Sequence, residues 1–175
     1  MAAPETVEDP QQAAILLGIY DRALPQVYGY LLVRCPSAAI AEDLTAETFL
    51  AAVAAVKKRS VQEMSVAWLV AVARNKLVDH WRRAAREERL LRAVEDDVEP
   101  EEDPWDEHLD RAVAYTVLAG LGPHHRAALT LRYLDGLPVP EVAAHLERTV
   151  HATEALLVRA RTAFRRSYGE RHVDD

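Results

Sequence analysis

Residues 67–83 (AWLVAVARNKLVDHWRR) carry the side chains with the clearest chemistry in this chain. Their apolar residues recur at helical spacing, and the other face holds arginine, asparagine, lysine and histidine beside Trp81. Arginine and lysine neutralise phosphates, asparagine can hydrogen-bond a base edge, and an indole can stack on an unstacked base. A helix that only filled a core would not need this polar face. The segment therefore indicates nucleic-acid binding.

The charge distribution supports this interpretation, although the net charge of −7 by itself argues against nucleic acid. Residues 57–92 contain ten basic and four acidic side chains, whereas residues 95–110 contain ten acidic and no basic ones. Charges are screened beyond roughly 8 Å at physiological salt. The local blocks therefore matter more than the net charge, and the basic block coincides with the segment above.

The elements that must position these side chains are predicted to be helices. Apolar residues at helical spacing predict helices over about residues 12–33, 38–57, 65–94, 109–121, 123–134, 138–146 and 149–168. We expect Pro25 to kink or divide the first helix, and Ser37 and Ser65 to cap the second and third. Gly136 is expected to end the fifth helix. The last two helices and the tight turn between them form a helix-turn-helix pattern.

The predicted fold class is all-α, with two small helical domains joined by an acidic flexible linker. Composition and periodicity predict a disordered tail (1–12), a helical domain (13–94), the linker (95–108), a helix-turn-helix domain (109–168) and a second tail (169–175). Residues 57–64 are expected to form a basic loop before the long helix. The N-terminus does not resemble a signal peptide, and no apolar run approaches the ~20 residues of a membrane span. We therefore expect a cytoplasmic protein without membrane insertion.

Several segments, in order, resemble the extracytoplasmic-function (ECF) group of bacterial RNA polymerase sigma factors. Residues 41–50 (AEDLTAETFL) look like the polymerase-docking helix of that group, and residues 68–83 look like its promoter-melting helix. Residues 121–137 (LGPHHRAALTLRYLDGL), with 141–143 and 159–161, resemble its C-terminal helix-turn-helix domain. The resemblance covers about residues 13–92 and 109–166, with the acidic stretch between them.

The resemblance implies an alternative sigma factor that binds core RNA polymerase and directs promoter-specific initiation, including promoter melting. Its implied partners are core RNA polymerase, promoter DNA and an anti-sigma factor. The polymerase-binding residues it implies are Asp43, Leu44, Glu47, Phe49 and Leu50. The residues it implies for minus-ten DNA are Lys57, Lys58, Arg59, Arg74, Asn75, Lys76, Trp81, Arg82 and Arg83. The residues it implies for minus-thirty-five DNA are Arg148, Thr149, His151, Thr153, Glu154 and Arg159.

The chain departs from the pattern of this group at three places. Ala46 stands where a glutamine is usual, which removes one polar contact to polymerase, and Pro138 replaces the usual serine cap of the first helix of the helix-turn-helix. The recognition helix carries residues 152–156 (ATEAL) in place of a more basic and hydroxyl-rich run. Glu154 repels phosphate, but it can accept a hydrogen bond from a cytosine amino group.

Other functions are less well supported by the residues. His124 and His125 are adjacent and point about 100° apart on a helix, so they cannot share a metal ion. No Cys or carboxylate stands at ligand spacing from His145 or His151, and no glycine-rich phosphate loop is present. We therefore expect no metal, no cofactor and no enzyme activity. A conventional helix-turn-helix regulator that binds an operator, and an interaction protein that sequesters a partner, remain as alternatives.

Overall fold

Seven α-helices make up most of the part of the chain that the computed structural model describes, residues 10–58, 60–61, 63–91 and 110–172. They are α1 (Pro10–Leu32), α2 (Ala38–Lys57), α3 (Val66–Leu91), α4 (Arg111–Gly120), α5 (Pro123–Leu129), α6 (Val139–Leu146) and α7 (Val150–His172). A π-helical turn, Thr130–Leu134, follows α5. These residues contain no β-strand, so the all-α prediction is confirmed. They divide into two compact units between Leu77 and Val78, within α3.

In the first unit, α1 packs along α2. Helix α1 is continuous, although it contains Pro25. Of the two predicted effects of Pro25, a kink or a division of the helix, the division is therefore wrong. A proline inside a helix costs about 3 kcal/mol, but Ala23 and Val27, on either side of it, are completely buried. Their burial in the core offsets that cost and holds both halves of α1 in one element.

The predicted N-caps begin α2 and α3 as expected. The backbone N–H of Ile40 donates to Ser37 Oγ at 3.4 Å, and that of Trp68 donates to Ser65 Oγ at 3.2 Å. Each serine thereby satisfies one of the backbone donors that the start of a helix leaves without a partner. Thr48 is buried within α2 and donates to the carbonyl of Leu44 at 2.7 Å, so its hydroxyl enters the core with a partner.

A buried row runs along α3 with a spacing of four residues. Its members, all at most 2% exposed, are Leu69, Ala73, Leu77, Trp81 and Ala85. Residues four apart share one helix face, so this row is the inward face of α3. Val78, next to this row, is buried as well at 1% exposed, whereas Asn75, Asp79, Arg83 and Arg86 are exposed.

The second unit has a core shared by α4, α5 and α7. It consists of Val117, Leu118, Leu121, Ala128, Leu129, Leu156, Leu157, Ala160 and Phe164. The start of α4 is also joined to the last turns of α7, because the backbone N–H of Asp110 donates to the Tyr168 hydroxyl at 2.9 Å. Asp110 in turn caps α4 through its carboxylate, which accepts from the N–H groups of Ala112 and Val113.

Arg126 fixes the corner between α4 and α5. Its guanidinium donates to the carbonyls of Leu118 at 3.2 Å, Leu121 at 2.8 Å and Ala119. The last carbonyls of an α-helix have no partner within the helix. A planar cation with several donors in a fork satisfies them together, so Arg126 sets the angle at which α5 leaves α4.

The helix-turn-helix prediction is confirmed by α6 and α7, which pack against each other. Gly136 has a φ of 69°, in the left-handed region that favours glycine, and ends the segment before α6. No side chain caps α6, where Pro138 stands at the N-cap. Glu147 closes α6 with a φ of 53°, and Thr149 begins α7 by accepting from the N–H of Ala152 at 3.1 Å.

Several helix boundaries differ from those predicted. The segment over residues 123–134 is α5 followed by the π-turn, where the N–H of Asp135 donates to the carbonyl of Thr130 at 3.0 Å. Helix α1 starts at Pro10, which suits a first helical turn, and α7 continues past Gly169 to His172. Residues 10–12 and 169–172 are thus helical, although both were predicted as tails. The predicted linker, residues 95–108, lies outside the described residues.

Candidate nucleic-acid interfaces and docking face

The outward face of α3 presents Asn75, Asp79, Arg83 and Arg86, and all four are exposed. Their spacing of four, four and three residues places them along one side of the helix. Asn75 offers both hydrogen-bond donors and an acceptor, and the two arginines offer charged donors suited to phosphate. Asn75 and Arg83, which are both among the residues predicted to contact minus-ten DNA, are therefore available to a ligand. Arg86 belongs to the same row but was not predicted.

Arg82 lies beside this row and is engaged by two carboxylates. Its guanidinium forms ion pairs with Asp79, one turn earlier in α3, and with Glu147 at the end of α6. Burial by itself lowers the pKa of Arg82, but the hydrogen bonds with Glu147 and Asp79 outweigh it and raise that pKa above its ordinary value. Arg82 therefore stays charged, and it must exchange these carboxylates before it can hold a phosphate.

Trp81 does not belong to the exposed face, so its predicted contact with minus-ten DNA is wrong. Its side chain is 1% exposed, because Trp81 follows Leu77 by four residues and extends the buried row of α3. An indole enclosed in a core has no free face on which a base could stack. Trp68, the other tryptophan of the helix, is half-buried.

The remaining basic residues assigned to minus-ten DNA have different environments. Lys57 and Lys58, at the end of α2, are exposed, whereas Arg74 is half-buried. Arg59 lies outside the described residues. Lys76 is half-buried, and its Nζ lies 3.7 Å from Glu47 Oε2 on α2. Such a partly exposed ion pair contributes on the order of 0–1 kcal/mol, so it leaves Lys76 able to exchange partners.

The predicted docking face of α2 is exposed at Asp43 and Leu50, half-buried at Glu47 and Phe49, and buried at Leu44. Leu44 is 2% exposed, so its side chain belongs to the core and the predicted contact with a partner is wrong. Leu50, by contrast, exposes 69% of its surface. The face thus combines a carboxylate with a large exposed apolar side chain.

A groove of about 520 Å³ between α1 and α2 adjoins this face. It is lined by Tyr20, Leu24, Pro25, Tyr28, Glu42, Thr45, Ala46 and Phe49. The rings of Tyr20 and Phe49 meet edge to face, with centroids 5.0 Å apart. Ala46, one of the lining residues, is exposed. The α1 residues of the groove were not predicted, although the spacing of Tyr20, Leu24 and Tyr28, four residues apart, already placed them on one face.

The first two turns of α7 expose His151, Glu154 and Ala155. Thr149 is exposed as well, but its hydroxyl oxygen caps the helix. Arg148 and Arg159 are half-buried. Among the exposed residues of the first two turns of α7, only Glu154 carries a full charge.

Thr153, which was assigned to minus-thirty-five DNA, is completely buried, so that assignment is wrong. Its hydroxyl donates to the carbonyl of Thr149 at 2.9 Å. Thr153 lies three and four residues before Leu156 and Leu157, which are core residues. Helical spacing turns Thr153 to the same inward side, and it cannot reach a base.

The described residues offer neither a metal-binding cluster nor a membrane-spanning helix. No group of three or more His, Cys, Asp or Glu side chains is arranged there to hold a metal ion. None of the helices in this part of the chain is both long enough and apolar enough to cross a membrane.

Two parts of the chain match known families. Residues 19–87 match the family described as Sigma-70 region 2, and residues 111–164 match the family described as Sigma-70, region 4. The first match contains the docking face and the outward row of α3, and the second contains the helix-turn-helix. The two families thus account for all three surfaces described above.

The similarity to known proteins extends over most of the chain. The ECF RNA polymerase sigma factor BldN of Streptomyces coelicolor is 35% identical over 147 residues, which are 81% of this chain and 56% of that protein. The ECF RNA polymerase sigma factor SigL of Mycobacterium tuberculosis is 32% identical over 164 residues, 85% of this chain and 88% of that protein. The chain therefore spans little more than half the length of the Streptomyces relative and most of the length of the Mycobacterium relative.

Solved structures with a similar fold include a sigma factor bound to its anti-sigma factor. It is the sigma factor RpoE of Bartonella quintana in complex with the anti-sigma factor NepR, with a TM-score of 0.51 and 22% sequence identity. The similarity covers 92% of this chain and 97% of that one.

Proposed function

Because the chain belongs to the ECF group of RNA polymerase sigma factors, we propose that it binds core RNA polymerase and directs promoter-specific transcription initiation, including promoter melting. One observation carries the proposal: a region 2 match and a region 4 match occur in order in one chain. An operator-binding regulator needs a helix-turn-helix but has no use for region 2. A protein that only sequesters a partner needs neither DNA-binding surface.

Helix α2 and the adjoining groove would form the binding site for core polymerase. Asp43, Glu47, Phe49 and Leu50 would contact polymerase, with the carboxylates against a basic surface and Leu50 against an apolar one. A large exposed apolar side chain beside a groove is typical of an interaction site. Opposite charges would steer the encounter and fix its register.

Promoter melting falls to the outward row of α3 and the basic residues that end α2. Asn75 would hydrogen-bond a base that has left the duplex, because an extruded base exchanges stacking for contacts with protein. Arg83 and Arg86 would hold the phosphates of the separated strand. Lys57, Lys58, Arg59, Arg74 and Lys76 would add to that binding, and Arg82 would join them once released from Asp79 and Glu147.

The minus-thirty-five element would be read by α7 in the major groove. His151 and Glu154 would face the base edges, while Arg148, Thr149 and Arg159 would contact the sugar-phosphate backbone. The acidic stretch over residues 95–108 would join the two DNA-binding regions and enter the polymerase cleft. An anti-sigma factor would be a further partner. The chain would supply no catalytic group, and it would act in the cytoplasm with polymerase and DNA.

The test of the proposal is transcription from a promoter library with purified core polymerase. A sigma factor yields promoter-specific transcripts only when both proteins are present. A regulator of the operator-binding class binds DNA without polymerase and yields no new transcripts, and a sequestering protein does neither. Specific binding of the isolated protein to DNA at nanomolar concentration and physiological salt, without added transcription, would contradict the proposal.

The docking surface can be tested separately by reversing the charges of Asp43 and Glu47 to lysine. Like charges against a basic surface should weaken binding to core polymerase by at least about 10-fold. Glu87→Lys is the control for Asp43→Lys, because it makes the same charge change at an exposed residue of α3. Equal affinity of the control and the α2 variants would remove the docking role from this face.

A further inference from the structure

The start of α7 presents a narrow stripe of side chains to a ligand. The stripe consists of His151, Glu154, Ala155 and Val158, spaced three, one and three residues apart along one side of the helix. The first three are exposed and Val158 is half-buried. Thr153, Leu156 and Leu157 occupy the opposite side and are buried. The register of the stripe is therefore fixed by the core, and no rotation of α7 could present Thr153 instead.

Glu154 is the one carboxylate in the stripe. No hydrogen bond or ion pair with another described residue engages it, and its side chain is exposed. A carboxylate accepts hydrogen bonds but donates none at neutral pH. Phosphates repel it, so it contributes nothing to binding of the DNA backbone. Its chemistry fits a base edge that offers a donor.

The major-groove edges differ in what they offer to such an acceptor. Guanine presents two acceptors there, and thymine presents an acceptor and a methyl group, so neither can donate to a carboxylate. Adenine offers an amino donor beside the N7 acceptor, which repels a second carboxylate oxygen. Cytosine offers its amino group without an adjacent acceptor on the same base, and it is the base that acidic side chains recognise in the major groove.

We propose that Glu154 determines promoter specificity by accepting a hydrogen bond from the amino group of a cytosine in the upstream promoter element. The proposal rests on the proposed function, because it requires α7 to lie in the major groove. Ala155, next to Glu154 on the stripe, is small enough to let the helix approach the bases closely. The carboxylate thereby selects a C·G pair at one position and disfavours the other three pairs there.

The experiment uses the full chain with core polymerase and a promoter library in which the upstream element is randomised and the minus-ten element is constant. Sequencing of the transcribed templates gives the base preference at each position. Wild type should favour C·G at one upstream position by on the order of 10-fold, which lies within the range for one good base contact. Glu154→Ala should abolish this preference while leaving preferences at other positions unchanged.

Glu154→Gln gives a more specific test, because it should change the preferred base pair instead of abolishing the preference. Glutamine pairs with the N6 and N7 groups of adenine, so the preferred pair at that same position should change from C·G to A·T. Glu170→Gln is the matched control, since it removes one negative charge from an exposed residue of α7 about 24 Å along the helix. The control should retain the C·G preference of the wild type.

Two results would overturn the proposal. If Glu154→Ala and Glu154→Gln raise transcription from all templates equally, without a change in base preference, Glu154 only repels phosphate. If wild type shows no C·G preference at any upstream position, the carboxylate reads no base. Failure of the proposed function looks different: no template is transcribed specifically by the wild type, and the specificity proposal falls with it.

Discussion

Replacement of Arg126 by methionine tests whether one side chain holds the corner of the second unit. Methionine keeps most of the apolar stem and removes the guanidinium, which donates to the carbonyls of Leu118, Ala119 and Leu121. A hydrogen bond to a charged group contributes about 1.5–3 kcal/mol, and the cation also favours the C-terminal end of α4 by roughly 0.3–1 kcal/mol. The three bonds share one group, so their contributions do not add fully.

We expect Arg126→Met to lower the free energy of unfolding of the second unit by about 2–4 kcal/mol, most of it from two of the three bonds. For a domain of 60–100 residues this corresponds to a decrease in Tm of roughly 8–32 °C. Arg126→Lys should lie between the wild type and the methionine variant, because an ammonium cannot donate to several carbonyls in a planar fork.

The assay is amide hydrogen exchange of α4, α5 and α7 in the full chain, together with thermal unfolding followed by circular dichroism. Exchange reports the second unit alone, which matters because a chain of two units need not unfold in one step. Arg166→Met is the control, since Arg166 is an exposed residue of α7, and it should change stability by less than about 0.5 kcal/mol. A similarly small effect of Arg126→Met would refute the role assigned to Arg126.

Three further predictions concern the outward row of α3, the cap of α7 and the acidic stretch. Asn75→Ala should reduce open-complex formation without weakening polymerase binding, and unchanged permanganate reactivity of the promoter would contradict this. Thr149→Ala should destabilise the second unit by about 1 kcal/mol through loss of its N-cap. Thr116→Ala, which removes an exposed hydroxyl bonded within its own helix, should cost less in the same denaturation experiment, and an equal loss would argue against the cap. Replacement of residues 99 and 101–103 by serine should change the proportion of abortive RNA products if this stretch enters the polymerase cleft, whereas a simple tether would give wild-type products.

Interactions between near neighbours in the chain made much of the fold predictable. The caps at Ser37 and Ser65 and the left-handed glycine at Gly136 each depend on residues within a few positions, so their sequence signals are also their causes. The helix-turn-helix followed from the same kind of local pattern. The order of the segments then indicated the family, because each piece was weak by itself and the combination was specific.

Only the tertiary structure decided which of the candidate residues face outward. Periodicity places Trp81, Leu44 and Thr153 on a helix, but burial depends on the width of the inward face and on what packs against it. All three proved to be core residues, although each had been assigned to a partner or to DNA.

Contacts between residues distant in the chain were likewise decided by packing. Sequence spacing gave no indication that Lys76 and Glu47 would approach each other or that Arg126 would hold the end of α4. It also could not show that packing would keep α1 continuous through Pro25. Local pattern determines which helices form and where they begin, because those choices depend on neighbours in sequence. The surfaces that remain available for function are set by which residues the core excludes from water, and that depends on neighbours in space.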